Sequence, residues 1–452
     1  MRTEKLRIYN ILFALFILLC LCCAPLSNSY ALDVKKDVLN NGLTLMVVER
    51  HNLPVVMVTL GIKAGSLIEP EEKSGLANLT ASLLTEGTTN RTGRQISEEI
   101  EFVGGSLGAG GGSDYITVHL SVLKKDLSLG FDLLSDIILN PSFPEDEMKK
   151  KVKRIKGSLK AGEEDPGFVA SRAFIKEVFS SHPYGRLVQG NEESLDRIKR
   201  DELLVFHKSY YTPDNSIMSI VGDITPDEVK TLLEKHFSAW RPTGMKPPAL
   251  PELTDIKKRH TVIIDKELTQ ANIILGHLGV SRSNPDYYAV SVMNYILGGG
   301  GFESRLMQNV REEKGLAYDI SSFFNANKTG GAFEVSLQTK NESANKAIEE
   351  ILKEIRKIRS EPVTDKALSD AKAFLTGSFP MRIETGARIA NFLIAVEFYG
   401  LGMGYVDEYP DYINSVTKED ILKVAKKYLD PENYILVVVA DEKKTALKNE
   451  FK

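Results

Sequence analysis

Seven histidines are spread over the 452 residues, at positions 51, 119, 182, 207, 236, 260 and 277, and the closest two are 17 residues apart. No pair can share one helical turn, so a local H-x-x-x-H or H-x-x-H zinc grip is excluded. The three cysteines, Cys20, Cys22 and Cys23, all lie near the start of the chain. A mature chain cut beyond them has no disulfide, no thiolate metal site and no cysteine nucleophile. The letters G-x-S-x-G occur at Gly104-Gly105-Ser106-Leu107-Gly108, within a glycine run rather than at a strand-to-helix elbow, and no G-x-x-x-x-G-K-[ST] phosphate loop occurs. The glycines from Gly104 to Gly112 lack the Lys-Ser/Thr that would face a phosphate, and they read as a bulged or closely approached edge strand. Residue types and local spacing by themselves reveal no catalytic centre.

The elements that would carry any site are easier to place. Arg2, Lys5 and Arg7 precede an apolar run from Ile11 to Cys23, and Ser29-Tyr30-Ala31 follows with small residues at both ends. The run is short of the ~20 residues a bilayer span needs. The pattern predicts a secretory signal peptide over 1–31, cut after Ala31, with an uncleaved anchor as the alternative. The protein is then exported, to the periplasm in a Gram-negative bacterium, with no stable membrane span after cleavage. A net charge of −4 and the lack of long basic runs argue against nucleic acid as a partner. Lys149 to Arg154 reads as a solvated helix face.

Two pairs of segments echo each other. Lys208-Ser209-Tyr210-Tyr211-Thr212-Pro213-Asp214-Asn215 precedes the apolar run Ile217 to Val221, and Lys426-Lys427-Tyr428-Leu429-Asp430-Pro431-Glu432-Asn433 precedes Tyr434 to Ala440, 218 residues later. Tyr115 to Leu120 and Ala332 to Leu337 repeat at nearly the same offset, each an alternating strand leading into a helix. Two echoes at one offset point to duplication. The Pro- and Gly-rich stretch Trp240 to Pro251 marks the seam, because proline lacks a backbone donor and fixes φ. The expected architecture is α+β: two tandem homologous domains, 33–240 and 258–452, joined by a linker over 241–257. Each is a mostly antiparallel sheet packed by helices, and together they form half of a clamshell.

The order of segments resembles the insulinase/pitrilysin-type zinc metallopeptidases, whose signature is H-x-x-E-H. Asn41-Gly42-Leu43-Thr44 opens a strand as in that family, and Gly75-Leu76-Ala77-Asn78 to Glu86-Gly87-Thr88 matches the frame around the signature. Its chemical positions are changed. Asn78 and Ser82 stand where the histidine ligands would be, and Ala81 where the general-base Glu would be. The third ligand position, ahead of Glu163-Glu164-Asp165-Pro166, falls at Ser158 or Gly157. Asn and Ser are poor neutral ligands, and Ala81 cannot activate water. No metal site is expected in this chain.

The second half keeps its family pattern. Leu297-Gly298-Gly299-Gly300-Gly301-Phe302-Glu303-Ser304-Arg305-Leu306 leads to Arg311-Glu312-Glu313-Lys314-Gly315-Leu316-Ala317-Tyr318. The resemblance implies that Arg311 and Tyr318 reach the substrate beside a zinc ion. Arg311 would offer a fork of donors to a peptide carbonyl or carboxylate, and the Tyr318 hydroxyl would donate to a forming oxyanion. Gly298, Gly299, Gly300 and Gly301 would let a peptide backbone approach or let the loop move. His182, in Ser181-His182-Pro183-Tyr184-Gly185, reads as a turn residue rather than a ligand.

The implied role is that of a non-zinc subunit, similar in kind to the alpha subunit of mitochondrial processing peptidase and to bacterial paired homologues. Such a chain is inactive alone. It pairs with a homologous subunit that carries H-x-x-E-H and the zinc, a homodimer being the alternative, and it helps degrade or process extended peptides. Two other functions fit the same residues: an inactive peptide-binding or scaffolding pseudoprotease, and a competent single chain using unrecognised ligands.

Overall fold

The strands alternate between short half-covered edges and unbroken apolar runs, and the runs go to the centre of each sheet. Ser216–Gly222 and Ile435–Ala440 are buried at every residue. A strand buried on both faces carries such continuous hydrophobicity. The structure is a computed structural model that describes residues 32–451; the expected signal peptide, 1–31, lies outside the described residues.

The first sheet contains β1 (Lys35–Val38), β2 (Thr44–Glu49), β3 (Val55–Ile62), β4 (Ser106–Gly110), β5 (Ile116–Leu123) and β6 (Ser216–Gly222), in the order β1-β2-β6-β3-β5-β4. The second contains β7 (His260–Asp265), β8 (Gln270–Leu278), β9 (Ala317–Ala326), β10 (Gly331–Lys340) and β11 (Ile435–Ala440), in the order β7-β11-β8-β10-β9. Apart from β1 the orders are the same. Both sheets are antiparallel except for one parallel pair, β2 with β6 and β7 with β11. The echoed segments occupy equivalent places: the Pro-x-Asn turns feed β6 and β11, and the alternating segments are β5 and β10. Residues 241–257 carry neither helix nor strand. The fold is α+β with two sheets, as the sequence predicts.

Five helices frame the site and join the two halves of the chain: α1 (Leu76–Ser82), α2 (Glu145–Gly162), α3 (Pro166–Phe179), α4 (Ala344–Ser360) and α5 (Gly386–Phe398). Two of them are exchanged. α3 starts on a cap in which Gly167 N–H donates to Asp165 Oδ1 at 2.9 Å, with Pro166 in the first turn. It belongs to the first half of the chain but packs on β8 and β11 of the second sheet. Val169, Ala170, Phe174 and Val178 share one core with Ile274, Ala332, Ile435, Val437 and Val439. Reciprocally, α5, from the second half, packs on β3 and β6.

Single glycines make room for both helices. A Cβ on Gly61 of β3 would lie 2.5 Å from Ile394 Cγ2, and one on Gly276 of β8 would lie 2.9 Å from Phe174 Cζ. The two glycines hold the same register: Gly61 faces Ile217 and Thr117, and Gly276 faces Ile435 and Glu334. The duplication therefore extends to the seats of the exchanged helices. No helix among the described residues is long and apolar enough to cross a membrane.

Buried histidines give the fold a pH dependence. The His207 ring stacks near Tyr211 (4.6 Å between centroids) and Phe143 (5.9 Å), and its Nε2 lies 2.9 Å from Ile138 O, to which it donates. Burial pushes its pKa down to about 4. The folded state thus prefers the neutral ring. That stabilisation is complete above the ordinary histidine pKa near 6.5 and is lost as pH falls towards 4. His207→Gln keeps a donor for Ile138 O, so its melting temperature should fall less steeply than wild type between pH 6.5 and 4. A shift of this size is worth about 3 kcal/mol at most. Parallel melting curves for the two proteins across that range would refute the assignment.

Candidate functional site

The glycine-rich segment is shaped by contacts within its own chain. Tyr295–Gly299 and Met307–Glu313 are both π-helical, with a short 3₁₀ turn, Gly301–Glu303, between them. Such widened turns recur at functional sites. A Cβ on Gly298 would lie 2.5 Å from Ser322 Oγ and 2.7 Å from Ser322 N, so the turn rests directly on β9. Asn294 completes the contact: its Nδ2 donates to Ser322 O at 3.0 Å, and Ser322 Oγ donates to its Oδ1 at 2.8 Å. The outer edge of β9 is thereby covered at mid-strand. A Cβ on Gly299 or Gly300 would meet Asn294 Nδ2 at 2.8 Å or Tyr295 O at 2.7 Å. Of the four, only Gly301, at φ +57°, has open space around its α-carbon. The structure therefore gives Gly298 to Gly300 a packing role, and Gly301 a turn that sets the position of Phe302.

A second positive-φ glycine brings Arg311 and Tyr318 together. Gly315, at φ +60°, ends the helical turn, with Leu316 N donating to Val310 O at 2.9 Å and Gly315 N to Arg311 O at 3.0 Å. This pair of bonds, wider by one residue than the usual closure of an α-helix, reverses the chain into β9. The Arg311 guanidinium carbon then lies 5.0 Å from the centre of the Tyr318 ring and 4.7 Å from that of Phe302. Tyr318 is 80% exposed and Phe302 60%. No carboxylate among the described residues pairs with Arg311, so the cation is held by two aromatic faces and its donors stay available. Behind it, Asn309 Nδ2 donates to Glu350 Oε2 and Glu354 Oε1 of α4, each at 3.0 Å, which pins the π-turn to the fold. Sequence reasoning missed Phe302; its one signal was a large apolar residue inside a glycine turn. The cluster can grip and polarise a carbonyl or hold a carboxylate, but it contains nothing that activates water.

The locus of the altered zinc signature is closed by ordinary packing. α1 begins after Gly75 (φ +96°), where the buried Glu69 accepts from Gly75 N at 2.7 Å and Ala77 N at 2.9 Å. Burial pushes that carboxyl up to about 7, and the two N–H donors hold it back. Ala81 is fully buried, and Ser82 Oγ donates to Leu79 O at 3.2 Å. A Cβ on Gly111 would lie 2.6 Å from Asn78 Cα, so the loop after β4 presses on the helix. Gly157 and Ser158 are exposed on α2. An amide, a hydroxyl and a methyl do not fit a zinc ion. Among the described residues no three of His, Cys, Asp or Glu converge on a metal position. β4 is an edge strand, and glycines pressed by Asn78 (Gly111) and by Ile100 and Val122 (Gly105) border it, as the glycine run suggests.

Known proteins resemble both halves of the chain. Residues 45–191 match the insulinase (peptidase family M16) model, and residues 197–375 match the peptidase M16 inactive domain. An uncharacterized zinc protease, YmxG, of Bacillus subtilis is 26% identical over 416 residues, covering 90% of this chain and 98% of that one. A Helicobacter pylori relative named a non-peptidase homolog, YmxG, is 25% identical, covering 88% and 91%. Among solved structures, a peptidase M16 inactive domain from Pseudomonas fluorescens superposes with a TM-score of 0.85 at 27% identity, over 90% of this chain and 98% of that one. A Helicobacter pylori protease shares the fold at a TM-score of 0.84 and 20% identity. The chain belongs to the insulinase, or M16, family of peptidases.

Proposed function

We propose that this chain is the non-zinc subunit of an exported two-chain metallopeptidase that degrades or processes extended peptides. A partner with an intact H-x-x-E-H would hold the zinc and activate water. This chain would close the chamber and lend Arg311 and Tyr318 in trans. One contrast carries the reading: among the described residues the cation of Arg311 stands unpaired between exposed rings, while the helix that should bind metal offers Asn78, Ala81 and Ser82. β4 is the last strand of its sheet, and the open space around the α-carbon of Gly110 suits an extended peptide that adds there as a strand.

The test is a pull-down from the native envelope with metal analysis of what co-purifies. Recovery of a homologous subunit with one zinc per pair, and peptide cleavage by the pair alone, is the expected result. A zinc-bearing, active preparation of this chain by itself would overturn the proposal. A second reading, a peptide-binding pseudoprotease, is favoured by the name of the Helicobacter pylori relative. It predicts peptide binding with no zinc-bearing companion.

A further inference from the structure

Glu334 lies on β10, opposite Gly276 of β8 on one side and Phe323 of β9 on the other. Directly opposed residues project to the same face of a sheet. The Phe174 ring of α3 occupies the space beside Gly276, so Glu334 stands at the margin of the helix-covered area. Beyond that margin Phe323 is 47% exposed. The carboxyl is half-buried and takes no hydrogen bond or ion pair from any side chain among the described residues. Burial alone pushes it up from the ordinary carboxylate range, with no cation offsetting it. The fold does not require an acid here: the equivalent register position of the first sheet, opposite Gly61, is Thr117.

A desolvated carboxyl without a partner is unfavourable unless something brings it one. An ammonium or guanidinium group satisfies both neighbours, the acid by charge and the ring by its π-face. We propose that Glu334 and Phe323 form a subsite for one cationic side chain of a bound peptide. That the ligand is a peptide rests on the function proposed above; the subsite itself rests on the sheet.

Fluorescence anisotropy with the full chain tests it, using a dye-labelled twelve-residue peptide with a single lysine and the same peptide with norleucine in its place. The wild type should bind the lysine peptide about tenfold more tightly. Glu334→Gln should bring the two affinities together by weakening the lysine peptide alone. Arg311→Ala should weaken both peptides alike. Because it removes an unpaired acid, Glu334→Gln should melt no lower than wild type. A lysine preference that survives in Glu334→Gln, no preference in wild type, or a lower melting temperature for the variant would each overturn the subsite. If Arg311→Ala changes neither affinity while Glu334→Gln still equalises them, the Arg311 grip falls and the subsite stands.

Discussion

With the proposed zinc-bearing partner present, the Arg311→Ala variant should turn over peptide about a hundredfold more slowly than wild type, the usual cost of one oxyanion-type donor. Tyr318→Phe loses less, because the ring that flanks the guanidinium remains. Arg311→Lys does not recover the loss, since an ammonium cannot present a planar fork. Steady-state kinetics on the reconstituted pair, set beside melting curves, separates this from a structural defect. Among the described residues Arg311 makes no ion pair, and Tyr318 is mostly solvent-exposed, so neither variant should shift the melting temperature by more than the effect of an ordinary surface substitution. An unchanged kcat/KM in Arg311→Ala would show that the cluster plays no part in the reaction, whatever else the pair does.

Phe174→Ala destabilises the whole molecule by about 3–5 kcal/mol, the range for emptying a fully buried phenylalanine site. Its ring is completely buried, and it fills the space that Gly276 leaves in the opposite half. The loss should appear as one cooperative transition, because the sheet that Phe174 covers and the helix that carries it lie in different halves of the sequence. For the same reason a chain divided within 241–257 should yield two fragments, neither of which folds alone: 33–240 lacks α5, and 258–452 lacks α3. Co-expression should restore a folded complex. A cooperative melt of the 33–240 fragment by itself, seen by circular dichroism, would contradict the exchange.

The parts of this arrangement that local signals encode could be read in advance. The Pro-x-Asn turns before β6 and β11, and the alternation in β5 and β10, exposed the duplication because each is written in a few adjacent residues. The glycine run from 104 to 112 announced a crowded edge strand for the same reason. The exchange of α3 and α5 was not legible. An amphipathic pattern says that one face of a helix is buried, not which sheet buries it. In retrospect the signal was a lone glycine within each of two apolar strands, Gly61 and Gly276. Arg311 and Tyr318 could be singled out only through a family pattern, because nothing in their local spacing distinguishes them from a surface arginine and a core tyrosine. Phe302 escaped even that, since its placement depends on the left-handed backbone of Gly301, which no pattern of side chains reveals.

The exchange also dictates an order of events during synthesis. When the ribosome has finished the first half, the open side of its sheet has nothing to cover it, and it must wait until residue 398 has emerged. Nearly the whole polypeptide is therefore translated before any part can settle, and the unfinished sheet stays sticky throughout. A chain that stays unfolded this long is exposed to aggregation in the meantime, and the export proposed above would act on it in that state.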